Sequence, residues 1–375
     1  MDPIAVAIIG WAAAWWLWGR PQRVAEHRPT PPESCRSFVI IPARNEDQVL
    51  PLLLDDLAAD LDDQRQVIVV DDHSRDQTAA CARDRVGTTV IAAPTLPIGW
   101  TGKSWACDVG VQAARDIGAT RDDTMVFLDA DVRLAPGALA AAAERHRELG
   151  GIYSVQPFHT TVRADEQLSL FPQLVSLMAT GVGRRSSPPD GVFGPLLATS
   201  LADYDAVGGH AAVRSEVTED VALGQRYRDA QQPVTVELGG DLIQFRMYPK
   251  GLGQLIEGWT KNMAVGAGAV PLLRTLAVFV WILAAGSAVM SLPYIPGNSG
   301  VPPLVGLALY GAFVVQIAVF GRAVGTFGAR IALIYPVPLV AFIALFARSA
   351  WRLYIRRSVT WRDRTIPLGG ARPAA

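Results

Sequence analysis

Phe38-Val-Ile-Ile-Pro-Ala-Arg-Asn-Glu46 sets four large apolar residues directly against a polar turn. A run so short and so rich in β-branched residues reads as a buried strand. The same pattern returns in Val67-Ile-Val-Val-Asp-Asp-His-Ser74 and in Met125-Val-Phe-Leu-Asp-Ala-Asp131, and Thr88 to Ala92 reads as a further strand. Helical stretches, Val49 to Leu61 and Ala79 to Asp84, lie between them. Strand and helix alternating in short units predict an α/β domain whose mostly parallel sheet carries helices on both faces. In such sheets ligands bind beyond the carboxyl ends of the strands.

Three polar turns, each carrying carboxylates, therefore fall at one edge of one sheet. That concentration of negative charge is unfavourable unless cations or hydrogen-bond donors offset it. Asp129 and Asp131, one residue apart in an extended segment, can reach a single hard cation such as Mg2+ or Mn2+, with water and phosphate completing its shell. Taken singly, each turn also reads as an ordinary helix N-cap.

Outside this core the composition shifts. Half of the 375 residues are hydrophobic, and the excess gathers at the two ends. Ile4 to Trp18 holds four tryptophans and is followed by Arg20 and Arg23, the wrong charge order for a signal peptide. A short anchor helix with an aromatic belt fits, with an interfacial or re-entrant segment as the alternative. Leu272 to Leu292, Leu304 to Phe320 and Ile331 to Phe346 are three further spanning candidates. The arginines after the first anchor place the middle domain in the cytoplasm. The tail with Arg348, Arg352, Arg356, Arg357, Arg362 and Arg364 conflicts with four full spans, so the number of spans stays open. A net charge of −1 gives no basic field for nucleic acid. Cys35, Cys81 and Cys107 lack metal-ligand spacing and are too few for a disulfide framework.

In order along the chain, PARNE, VVDDHS, GKSWA, DAD and TED resemble glycosyltransferase family two, which has the GT-A fold, over about residues 37–265. EQLSLFPQLV, VFGP, GGH, TEDVALG and RMYPKGLGQLIEGWTKN are most similar to its membrane-bound lipid glycosyltransferases, those that glucosylate carotenoid acids among them. The resemblance implies an inverting transfer of a hexose from a UDP-sugar to a lipid or isoprenoid acceptor. Pro42, Glu46 and Asp72 match residues that hold the uridine end of the donor. Lys103 matches the lysine near its base and phosphates, a task suited to a compact ammonium. Asp129 would face the ribose, and Asp131 the metal that bridges the diphosphate.

Asp220 resembles the general base, with Glu219 supporting it. Alone, Thr218-Glu219-Asp220 reads equally as a helix N-cap with an acidic first turn. His210, after Gly208-Gly209, is either a further polar group on the acceptor side or a packed structural histidine. Trp259 stands where the family has a Q-x-x-R-W segment, but that arginine is absent here. Arg246 and Lys261 are candidates for the missing charge. Leu168 to Val182 and the amphipathic Leu252 to Val265 read either as core or as a lipid-lined entrance.

The expected organisation is an anchor (1–20), a linker (21–36), a GT-A domain (37–250), an interfacial segment (251–270), transmembrane helices (271–347) and a basic tail (348–375). Other lipid acceptors (ceramide, hopanoid, polyprenyl phosphate), a polysaccharide synthase and an inactive membrane scaffold are the competing readings. The scaffold is disfavoured because grouped acidic side chains destabilise a fold that does not use them.

Overall fold

The computed structural model describes residues 2–24, 36–60, 62, 64–184, 187–268, 270–293, 301–352, 358–361 and 364–367. Cys35, most of the expected linker and Arg356, Arg357 and Arg362 of the tail lie outside the described residues. The chain forms two compact units. One comprises Gln22–Phe158 and Pro188–Arg246, the other Met1–Pro21, His159–Ser187 and Met247–Ala375. Residues 159–187, which the sequence reading kept in the catalytic domain, thus cluster with the helical ends of the chain.

In the first unit the strands are β1 (Ser37–Ala43), β2 (Arg65–Asp71), β3 (Thr88–Ala92), β4 (Thr124–Leu128), β5 (Val132–Leu134) and β6 (Ile152–Gln156). After the two-residue β7 (Phe158–His159) come β8 (Leu196–Ser200), β9 (Val234–Leu238) and β10 (Ile243–Phe245). The main sheet runs β3-β2-β1-β4-β8-β6-β9. All its pairings are parallel except those of β8, which lies antiparallel to both β4 and β6. β5 and β10 form a small antiparallel pair.

Strand order reverses between β1 and β4. The β1–β2 ladder extends to Ala43↔Asp71, whereas the β1–β4 ladder ends at Ile40↔Phe127. Pro42, which has no N–H to donate, therefore sits beyond the last β4 partner, where a proline does not break the ladder. The divergence of the two strands opens the crevice that parallel α/β sheets use for ligands. The helix Gly102–Asp116 backs this crevice and lies so close to β1 that a methyl on Gly110 would come within 2.3 Å of Ile40 Cγ2. Val39, Ile41, Val67, Val69, Val126 and Leu128 are fully buried in the core beneath it.

The second unit is helical. Pro3–Trp18 packs along Leu272–Met290 at small residues; a methyl on Gly10 would overlap Ala284 Cβ. Trp15 meets Phe320 edge-on and Trp18 stacks on it. Two helices, Leu272–Met290 and Pro303–Val324, are long and apolar enough to cross a membrane. The third expected span divides at Tyr335 into Ala329–Leu333 and Pro336–Trp351, because proline at the start of the second piece removes a helix donor. Arg274, near the start of the first long apolar helix, is buried; it donates to the carbonyls of Thr180 and Ala179 and to Ser187 Oγ. It thereby closes the end of the helix Leu170–Thr180. Leu170, Phe171, Leu174, Leu177 and Met178 of that helix are core residues of this unit. Leu255 and Trp259 of the helix Leu252–Gly268 pack with Tyr248 and Leu345.

Candidate active site

Past β1 and β2 the two polar turns latch onto each other. Asn45 and His73 both adopt left-handed backbone conformations, φ 55° and 57°. Asn45 N–H donates to Ser74 Oγ at 3.0 Å, its Oδ1 accepts from Arg75 N–H at 2.9 Å, and Glu46 N–H donates to Thr78 Oγ1 at 2.7 Å. Asp72 N–H continues the ladder to Ala43 O at 2.8 Å. Asp72 itself is buried; Arg44 donates to its backbone carbonyl at 2.7 Å and stands 3.5 Å from its carboxylate. Glu46 and Asp72 are thus held at neighbouring strand ends by their backbones. The sequence reading passed over Arg44, although it stands inside the PARNE motif.

The turn after β4 leads to the second group. Asp129 N–H donates to Pro195 O at 3.0 Å, and Val132 N–H closes the turn onto Asp129 O at 3.2 Å. Lys103 lies in the first turn of Gly102–Asp116, where Thr101 caps the helix through Ser104 N–H. A cation there opposes the helix dipole. It is held by carboxylates: Nζ is 2.7 Å from Asp129 Oδ1 and 3.1 Å from Glu219 Oε1. Burial works against the ammonium, but Asp129, Glu219 and Asp220 outweigh it and raise its pKa well above the usual lysine value. One lysine therefore ties the carboxylate that follows β4 to the acidic start of the helix Glu219–Asp229.

Asp220 is fixed by backbone donors. Gly194 N–H donates to Oδ2 and Val221 N–H to Oδ1, both at 2.9 Å. Burial and the charge of Glu219 push its carboxyl up to about 6, against Lys103 and the two N–H groups. A carboxylate poised near neutrality is what a general base requires. Thr218 stands at the N-cap position without a side-chain cap hydrogen bond, and Glu219 and Asp220 form the acidic first turn of the helix. Gly194, within the VFGP motif, is a further site residue, and no feature of the sequence set its N–H apart.

The remaining candidates are His210, within electrostatic reach of Glu219 and Lys103, Arg246 at the end of the sheet unit, and two residues of the helical unit. His210 is buried with Nδ1 3.0 Å from Tyr204 Oη and its ring edge-on to Phe127; burial lowers its pKa to about 4. Burial keeps the imidazole neutral. Trp259 is buried in the helical unit, where Nε1 donates to Ser169 Oγ at 3.1 Å. Lys261 lies half-buried on the same helix, and Arg246 is half-buried at the end of the first unit. Cys107, one turn beyond Lys103, is buried and its thiol pKa is pushed up, which leaves it unreactive.

Among the described residues no three acidic, histidine or cysteine side chains close on one point as a metal cage. Asp129 and Asp131 are both partly exposed, and Lys103 already engages Asp129. Two partly exposed carboxylates one residue apart fit a cation that takes most of its shell from water and phosphate oxygens, as Mg2+ commonly does.

Residues 38–185 match the family Glycosyl transferase family 2. The chain is 32% identical over 342 residues to 4,4'-diaponeurosporenoate glycosyltransferase of Staphylococcus aureus (strain MRSA252), with 87% of each chain covered. The counterpart from strain USA300 gives the same identity over 338 residues. Among solved structures, a mannosyltransferase from Pyrobaculum calidifontis in complex with GDP-Man and Mn2+ is similar with a TM-score of 0.53 at 16% identity, covering 94% of this chain and 99% of that one. That likeness is one of fold. The chain belongs to glycosyltransferase family 2 and is a glycosyltransferase with the GT-A fold.

Proposed function

We propose that the protein transfers glucose from UDP-glucose to the carboxyl group of a long apolar acceptor, a carotenoid acid, with inversion at the anomeric carbon, at the cytoplasmic face of a membrane. The reading of the site rests on the Lys103 bridge, which joins the Asp129 end of the sheet to Glu219 beside Asp220. The choice of acceptor rests on relatives that carry carotenoid-acid glycosyltransferase names. The membrane placement is supported by helices that are apolar on both sides. Leu272, Leu276, Phe279 and Leu283 are exposed, while Val278, Trp281, Ala285 and Ala288 of the same helix are buried. Water disfavours such an outer surface and lipid does not.

Glu46 and Asp72, with Pro42 behind them, would receive the uridine, where a carboxylate accepts from the uracil N–H or the ribose hydroxyls. Asp129 and Asp131 would hold Mg2+ or Mn2+, which supplies charge neutralisation for the diphosphate. Lys103 adds a fixed positive charge beside that leaving group. An acceptor acid drawn from an apolar environment arrives protonated, because low dielectric disfavours the carboxylate. Asp220 takes that proton. The acceptor oxygen then forms a bond to the anomeric carbon from the face opposite the diphosphate, and UDP departs with the electron pair of the broken C–O bond. The products are a β-linked glycosyl ester, UDP and one proton.

Membranes containing the protein, incubated with labelled UDP-glucose, UDP-galactose or GDP-mannose and with 4,4'-diaponeurosporenoate, test this reading. The expected result is a labelled lipid of the mass of the glucosyl ester, formed from UDP-glucose alone and showing a β-type anomeric proton coupling. An α-linked product, or labelling of a different lipid class only, would overturn it.

A further inference from the structure

The helix Glu219–Asp229 does more than carry Asp220 at its start. Asp220, Gly224 and Arg228 stand four residues apart, so they share one face of the helix. Each meets the incoming segment 189–194 in reverse order. Asp220 Oδ2 accepts from Gly194 N–H at 2.9 Å. Gly224 lies against Val192 so closely that a methyl there would stand 3.0 and 3.1 Å from the two valine methyls. Arg228 Nη1 pairs with the buried carboxylate of Asp190 and donates to Pro189 O at 3.3 Å. Between these contacts Phe193 is pinned from the other side: its N–H donates to Ser154 Oγ at 2.8 Å, and its carbonyl accepts from the same hydroxyl at 2.9 Å.

We infer that Arg228, two helical turns from Asp220, is a positioning residue for the base: its ion pair with Asp190 docks the 189–194 segment along the helix so that Gly194 delivers its N–H to Asp220. This rests on the reading of Asp220 as the base. The charged groups facing Asp220 are Glu219 on its own helix and Lys103 on Gly102–Asp116. Neither is altered when the distant end of the segment is released. Ser154 still holds the Phe193–Gly194 peptide, so the Gly194 hydrogen bond, which favours the ionised carboxylate, is lengthened as the segment shifts along the helix, and the Asp220 pKa moves upward.

Arg228→Met in the full-length protein, with UDP-glucose and 4,4'-diaponeurosporenoate in phosphatidylglycerol vesicles, is therefore expected to move the acidic limb of the kcat profile up by about one unit. The KM for UDP-glucose should change less than about twofold, since Glu46, Asp72 and Asp131 are untouched. Arg228→Lys, which still reaches Asp190, should return the limb most of the way. If Arg228→Met does not accumulate as folded protein, Gly224→Ala tests the same seam, with a smaller upward shift expected from the methyl wedged against Val192. Lowered thermal stability with an unmoved limb in these variants would overturn the inference and reduce Arg228 to a structural ion pair. Full turnover by Asp220→Asn would instead overturn the base reading, and with it this role; a dead Asp220→Asn beside an unmoved limb overturns the positioning role alone.

Discussion

In the sheet unit, Lys103 and three carboxylates converge on one another; in the helical unit, Arg274, Trp281, Gln316 and Tyr335 are each bonded to a nearby carbonyl. Lys103, Asp129, Glu219 and Asp220 form one linked cluster whose carboxylates outnumber its lysine. Arg274 bonds helix-end carbonyls, Trp281 Nε1 donates to Gln316, whose Nε2 donates to Trp11 O, and Tyr335 donates to Ala285 O. A cluster that keeps an excess of negative charge marks a place where a bound cation can supply the balance. Satisfied pairs mark architecture. Trp259, bonded to Ser169 and packed on Tyr248, follows the second pattern despite its position in the family motif.

That contrast can be broken first at the metal. EDTA should abolish transfer, with Mg2+ or Mn2+ restoring it, and Asp131→Asn should weaken donor binding and turnover together. Full activity in chelated protein would remove the pair of carboxylates after β4 from the site.

The next effect belongs to Asp220. Asp220→Asn is expected to leave UDP binding intact and lower turnover by ~10²-fold or more. Wild-type activity should fall as the pH drops below about 6, where the carboxylate takes up a proton. Stability moves the other way. Because the folded pKa is raised above the ordinary aspartate value of 3.8, the ionised form loosens the fold as pH climbs from about 4 to about 6. The asparagine variant should therefore melt higher than wild type at pH 8, and the gain should fade toward pH 4. A variant no more stable at pH 8 would contradict the raised pKa.

In the helical unit the same kind of change should cost stability and leave chemistry alone. Arg274→Met removes the donors that close Leu170–Thr180 and should lower stability in detergent by about 1–3 kcal/mol, read as an earlier melting transition with UDP binding unchanged. Trp259→Phe forfeits one buried hydrogen bond, a loss of about 1 kcal/mol. If Trp259→Phe lowers turnover strongly at full stability, the tryptophan acts on the acceptor after all, and the contrast between the two units fails at that point.

The strands, their parallel order and the acidic turns were legible because hydrophobic runs and the residues that end them are local properties of the chain. Lys103, Asp129, Glu219 and Asp220 were singled out by motif order. Their meeting was not in it. Lys103 is joined to Glu219 across more than a hundred residues, and no local pattern records a distance of that kind. Gly194 was invisible because its part is played by a backbone N–H that every residue but proline possesses. No local pattern set Arg44 or Arg228 apart; packing placed carboxylates beside them. The division of the chain was hidden for the same reason. Residues 159–187 read as part of one continuous domain, yet their apolar helix is buried among the terminal helices, and hydrophobicity carries no address. Local sequence determined which segments would be strand, helix or turn, since those follow from sterics and periodicity; which of them would touch was decided only by burial in three dimensions.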